Sequence, residues 1–106
     1  MALPHRTPEQ RQSDLEKAAA ARRERAAVKN RLKHAQGSLG DVVLAGQSND
    51  IIGRMKVLAL LEAMPGVGKV RARQIMDELG ISQSRRVRGL GANQVAALVS
   101  RFASGS

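Results

Sequence analysis

LEAMPGVGKVRARQIM, residues 61–76, joins two apolar helical patterns through one proline and two glycines, and what those three residues do decides the fold. Upstream, the segment IIGRMKVLALLEAM at 51–64 is the densest run of core candidates, with Ile51, Ile52, Met55, Leu58, Leu60 and Leu61. Pro65 lacks an amide hydrogen and clashes with a continuing helix, so it ends this segment. Downstream, Ala72, Ile75, Met76 and Leu79 recur at helical spacing, and Gly80 closes the second helix. Between them, Gly66 and Gly68 permit backbone angles and close approaches that a side chain would block. The amides of Val67, Gly68, Lys69 and Val70 are then expected to lie unpaired at the positive end of a helix dipole, a seat for a phosphate. Lys69, Arg71 and Arg73 follow at once and strengthen that reading. A nucleotide-binding P-loop is excluded, because GxxxxGK[ST] needs four residues before its GK and a hydroxyl where Val70 stands. A dinucleotide fingerprint is excluded because a helix, not a strand, precedes the glycines.

Outward from the loop, every other segment also reads as helix. TPEQ at 7–10 supplies Thr7 as N-cap, Pro8 at the first helical position and Gln10 to close a capping box. Residues 11–36 contain no Gly or Pro, so one helix is expected to run to Gly37, taken as its left-handed cap; about 28 residues would span roughly 42 Å. Ala21, Val28, Leu32 and Ala35 fall on one stripe, so the C-terminal half is expected to dock while the first half projects as an arm. Arg11, Arg22, Arg25, Lys29 and Lys33 gather on one arc of this helix, with Glu9, Glu16 and Glu24 roughly opposite. Ser38 and Asp41 start a short helix whose Leu39, Val42, Val43 and Leu44 are expected to be buried, and QSND at 47–50 is a turn. Gly53 divides the following segment into a short and a longer helix. ISQSRRVRGLG at 81–91 has no helical stripe and reads as an ordered basic connection. The last helix starts near Gly91 and carries Val95, Leu98, Val99 and Phe102 on one face. No alternating strand has a partner, so the fold class is all-α: a basic helical arm, residues 1–36, followed by one compact helical domain, residues 37–106.

Charge points to the partner. Eighteen Lys and Arg against nine Asp and Glu give a net charge of +9 in 106 residues, spread over both halves of the chain. A polyanion such as nucleic acid is the expected ligand. Phe102 is the one Phe, Tyr or Trp residue, which removes the stacking platforms used for single strands and favours duplex recognition through phosphates. Arg85, Arg86 and Arg88 precede a helix N-terminus at Gly91, so guanidinium groups and free amides are expected to converge on phosphate there. The absence of cysteine excludes disulfides and thiolate metal sites. No cofactor, metal or membrane partner is expected. MALPHRTPEQ has no apolar run of a secretory signal, and the default compartment is the cytoplasm.

The pattern of an apolar residue, PGVGK and VRARQI resembles the helix-hairpin-helix signature, whose known examples hold duplex DNA without sequence preference through hairpin amides. More of the chain, in EKAAAARRERAAVKNRLKH, NDIIGRMKVLALLEAMPGVGKVRARQIM and LGISQSRRVRGLGANQVAAL, resembles the actinobacterial integration host factor family, over roughly residues 8–102. The resemblance implies a monomeric nucleoid-associated protein with a long N-terminal helix and a helix-two-turns-helix domain. It further implies that the protein bends and compacts duplex DNA and influences DNA topology and phage integration. By position, it implies a lid of Pro65, Gly66, Val67, Gly68, Lys69 and Arg71 against the DNA backbone, to which Arg73 adds charge. A second grip is Arg85, Arg86 and Arg88 with Gly89 and Gly91. Arg22, Arg25, Lys29 and Lys33 on the arm form a further surface that would let one monomer hold two duplexes.

Two other readings stand beside this one. The shared domain type, found also in a small-subunit ribosomal protein, admits an RNA-binding or ribosome-associated module. An enzyme is disfavoured: related repair glycosylases begin with a Pro-Glu pair where this chain has Ala2 and Leu3, His5 lies in an end expected to be unstructured, and His34 sits at a helix end where the dipole suffices to explain it. Asp77 and Glu78 are sequential on a helix and point about 100° apart, so they form no paired-carboxylate site.

Overall fold

The computed structural model describes residues 7–102; Ala2, Leu3, His5 and the SGS tail at 104–106 lie outside them. Thr7 opens the first helix, α1 (Pro8–Lys33), through a complete capping box: the Gln10 amide donates to Thr7 Oγ1 at 3.1 Å, and the Thr7 amide donates to Gln10 Oε1 at 2.8 Å. At 26 residues α1 is roughly 39 Å long, most of the 50 Å longest dimension of the molecule. Residues 8–18 are exposed throughout, Leu15 among them, and the first buried side chain is Val28, followed by Leu32.

The end of α1 differs from expectation. The helix stops at Lys33 with His34 as its C-cap, and the left-handed residue is Ala35 at φ +53°, not Gly37. The Gln36 amide donates to the Arg31 carbonyl at 2.8 Å across this turn, so the chain closes on residues 34–36 before it reaches the glycine. Ala35 is consequently exposed and leaves the docking stripe that Val28 and Leu32 form.

Four short helices and a 3-10 turn follow before the last helix ends at Arg101. Ser38 caps α2 (Leu39–Ala45) through its hydroxyl, 3.0 Å from the Asp41 amide. In α2, Leu39, Val42 and Val43 are buried, but Leu44, at its C-terminal end, is 53% exposed. Asn49 caps α3 (Asp50–Gly53) and α4 (Val57–Ala63) comes after a break at Arg54–Lys56. The glycine loop leads into α5 (Gly68–Glu78), a 3-10 turn covers Val87–Gly89, and α6 (Ala92–Arg101) closes the fold. Helix α6 packs on α2, α5 on α4, and the second half of α1 on α3 and α4.

All the side chains buried in the core are apolar, among them Leu60, Leu61, Met76, Val87 and Leu98. On α6 only Leu98 is fully covered; Val95, Val99 and Phe102 are half-buried. Among the described residues there is no strand, only one antiparallel bridge between Lys56 and Arg86. No helix among them is long and apolar enough to cross a membrane.

Candidate nucleic-acid interface

The glycine loop is built from backbone angles. After α4, Met64 is extended, Gly66 takes φ +78° and Gly68 takes φ +66°, values that an L side chain adopts only with strain. A Cβ added at either glycine would meet nothing within 4 Å, so in the free protein it is the dihedral angle, not crowding, that requires glycine. Val67 acts as the loop's anchor: its side chain packs on the core and its amide donates to the Met64 carbonyl at 3.3 Å. The Val67 amide is therefore spent inside the turn, contrary to the expectation that it faces a ligand. The amides of Gly68, Lys69 and Val70 have no acceptor within the helix, and no side chain caps them.

The cations after the loop do not share one face. Ala72, Ile75 and Met76 point inward. At 100° per residue Lys69 and Arg73 lie on one flank of α5, and Arg71 lies on the other, roughly 160° from Lys69. Arg71 instead borders an open groove of about 720 Å³ behind the loop, whose apolar walls include Leu32, Leu39, Met64, Ile75 and Phe102. Arg101 shares that rim but is already paired with Glu78 at 2.7 Å.

The basic turn is built from packed side chains and a backbone bridge. The Val57 amide donates to the Arg85 carbonyl at 3.1 Å and the Val87 amide to the Met55 carbonyl at 2.9 Å, which fixes Arg86 beside Lys56. Ile81, Val87 and Leu90 are buried and pin the turn from below. Room for Val87 exists because residue 46 is glycine: a Cβ there would lie 2.4 Å from Val87 Cγ1. Gly53 serves in the same way, since its Cβ would meet the Gly46 carbonyl oxygen at 2.7 Å and Arg88 Cβ at 3.2 Å.

On this base Arg85, Arg86 and Arg88 are exposed, each with one light tether. Arg85 Nη1 donates to the Gly89 carbonyl at 3.3 Å, Arg86 Nη1 donates to the Arg54 carbonyl, and Arg88 Nη1 lies 3.6 Å from Asp50 Oδ1. Gly91 is the N-cap of α6, but its amide is already bonded to Gln94 Oε1 at 3.0 Å, while Gln94 Nε2 donates to the Gly80 carbonyl at 3.2 Å. The amides that stay open at this helix start are those further along, at Ala92, Asn93 and Gln94, rather than that of Gly91.

Two exposed cations of the site have no signal in the local sequence pattern. Arg54 and Lys56 stand in the break between α3 and α4, and only the long-range bridge brings them to Arg85 and Arg86. The resulting cluster holds five cations, of which Arg88 faces the carboxylate of Asp50. The bridge sits at the start of α4 and the glycine loop at its end, so seven helical residues, roughly 10 Å, separate the basic cluster from the loop. Arg22, Arg25, Lys29 and Lys33 are exposed on α1. Glu24, off that row, accepts a hydrogen bond from Asn49 Nδ2 at 3.1 Å, which ties α1 to the cap of α3. Among the described residues no group of three His, Cys, Asp or Glu side chains is placed to hold a metal ion.

Residues 32–102 match the model of the S13-like H2TH domain. Over 104 residues the chain is 70% identical to an integration host factor of Streptomyces coelicolor, covering 98% of this chain and 97% of that one. It is 55% identical to an integration host factor of Mycobacterium tuberculosis, again over 104 residues, covering 98% of this chain and 99% of the relative. A solved structure described as sIHF bound to an 8-bp palindromic DNA superposes with a TM-score of 0.79 at 71% identity, covering 82% of this chain and 98% of that one.

Proposed function

Because the chain belongs to the integration host factor family and carries an S13-like H2TH domain, we propose that it binds duplex DNA through phosphate contacts, with little sequence preference. The observation that carries this reading is the pair of candidate anion seats at the two ends of α4, one of open amides and one of five cations, of which Arg88 faces Asp50. The relative solved with DNA supports duplex DNA as the partner. In this reading the loop of Pro65, Gly66, Gly68 and Lys69 holds one phosphate, and Arg85, Arg86 and Arg88, joined by Arg54 and Lys56, hold the backbone beyond it. Phosphates neutralised on one side of a duplex favour a bend toward the protein, which gives the architectural role: bending, compaction and effects on topology and phage integration. The protein acts as a monomer in the nucleoid, without catalysis, and the cations of α1 give it a second duplex to hold.

A salt titration tests the reading. With about five to seven phosphates neutralised, log K for a duplex of about 20 base pairs falls with log salt at a slope of roughly −5 to −6, and a slope near zero would refute it. Removing residues 1–26 should diminish bridging of long DNA far more than affinity for the short duplex; equal loss of both would remove the second surface. The S13-like domain also favours one other reading, binding to structured RNA backbone. In direct competition the DNA reading requires duplex DNA to displace structured RNA, and the reverse result replaces it.

A further inference from the structure

Val70 is the most exposed large apolar side chain among the described residues, at 71%, and it stands where folding gives no reason for it. It is the third residue of α5, and at 100° per residue it points away from the buried face of Ala72, Ile75 and Met76. A β-branched residue on the solvent side of a helix is a poorer helix former than alanine or lysine, so its presence there costs stability and covers nothing. Its position relative to the loop gives it a use. Cβ atoms in a helix tilt toward the N-terminus, which leans the Val70 isopropyl group toward the open amides of Gly68, Lys69 and Val70 itself. Branching at Cβ also holds the two methyl groups in one preferred rotamer, so they present a stiff apolar surface beside that seat.

A phosphate of a nucleic acid brings its sugars with it. We propose that Val70 lies against the sugar next to the seated phosphate and thereby selects deoxyribose over ribose, an inference that rests on the duplex-binding reading above. The C2′ methylene of deoxyribose meets the isopropyl group without loss. A ribose places its 2′-hydroxyl there, takes it out of water, and finds no donor or acceptor on valine, while the adjacent amides are committed to the phosphate. The penalty corresponds to about tenfold in affinity.

The test compares the full chain with Val70→Ser and Val70→Ala on a DNA duplex of about 20 base pairs and on an RNA duplex of the same sequence. The wild-type ratio includes the difference between the two duplex forms, but that difference cancels between wild type and variant. Serine offers the 2′-hydroxyl a partner, so Val70→Ser narrows the DNA-to-RNA affinity ratio by about fivefold to tenfold, with Val70→Ala between the two and the salt slope unchanged. Because Val70 is exposed, neither variant should unfold below the wild type, and Val70→Ala, the better helix former, should unfold slightly above it. A ratio unchanged in both variants overturns the inference and leaves duplex binding standing. Failure of the wild-type chain to bind duplex DNA overturns both.

Discussion

The glycine loop and the basic turn sit at opposite ends of α4, and under the proposed function they would meet an anion by opposite means. The loop offers main chain: three amides left open by two left-handed glycines, with one side chain, Val67, fastening it to the core. The turn offers side chains: guanidiniums on a backbone locked by the Lys56–Arg86 bridge and by buried Val87 and Leu90. Amides at a helix start need no ordering when an anion arrives, whereas each arginine loses rotamer freedom on binding. Arginine repays that cost with full charge and forked geometry. The loop is thus suited to register and the turn to strength, and substitutions in the two places should fail differently.

The largest effect should come from reversing charge at the turn. Arg85→Glu together with Arg86→Glu is expected to weaken duplex binding about 100-fold at moderate salt, with an unfolding midpoint near that of wild type because both residues are exposed. Equilibrium titration beside thermal unfolding checks both halves of that statement. Unchanged affinity would remove the turn from the interface.

Next in size is a substitution that breaks the turn's foundation without touching a charge. Gly46→Ala forces a methyl group to within 2.4 Å of Val87 Cγ1, so the turn must shift or the core must open. A loss of about 1–3 kcal/mol in urea unfolding is expected, with weaker DNA binding following from the displaced arginines. Full stability in this variant would contradict the packing described for Val87.

The smallest effect belongs to the loop. Gly68→Ala meets no atom but must hold φ +66°, a strain of about 1–2 kcal/mol, and asparagine, which tolerates that region better, should recover part of it. Equal stability of the Ala and Asn variants would show that the dihedral angle is not what glycine supplies there. Taken together, the two glycine substitutions separate the regions: crowding governs residue 46 and backbone angle governs residue 68.

Local chemistry made much of this fold readable from the chain. The capping box of Thr7 and Gln10, the Ser38 cap, the division at Gly53 and the left-handed glycines are decided within a few residues, and the structure places each of them as the sequence predicts. What local pattern missed depends on distant partners. Gly37 looked like the cap of α1, but the chain had already turned at Ala35, a position that no propensity favours. Leu44 fits an apolar run, yet it is exposed, because an apolar run does not tell which of its members find a neighbour. The site shows the same division. The glycines and arginines stand out in sequence, while Arg54 and Lys56 join them only through a bridge across thirty positions. Gln94 holds the Gly91 amide from the same N3 position that Gln10 holds relative to Thr7, but the glycine lacks the hydroxyl that marks a capping box in sequence.

In the proposed complex the amides of Gly68, Lys69 and Val70 receive a phosphate while that of Val67 stays within its turn. Amide chemical shifts recorded by NMR during titration with a short DNA duplex test it directly. Large downfield shifts of the amide protons at residues 68–70 are expected on saturation, with Val67 moving little because it remains bonded to the Met64 carbonyl. Amides at 68–70 that stay in place while the turn residues respond would contradict it.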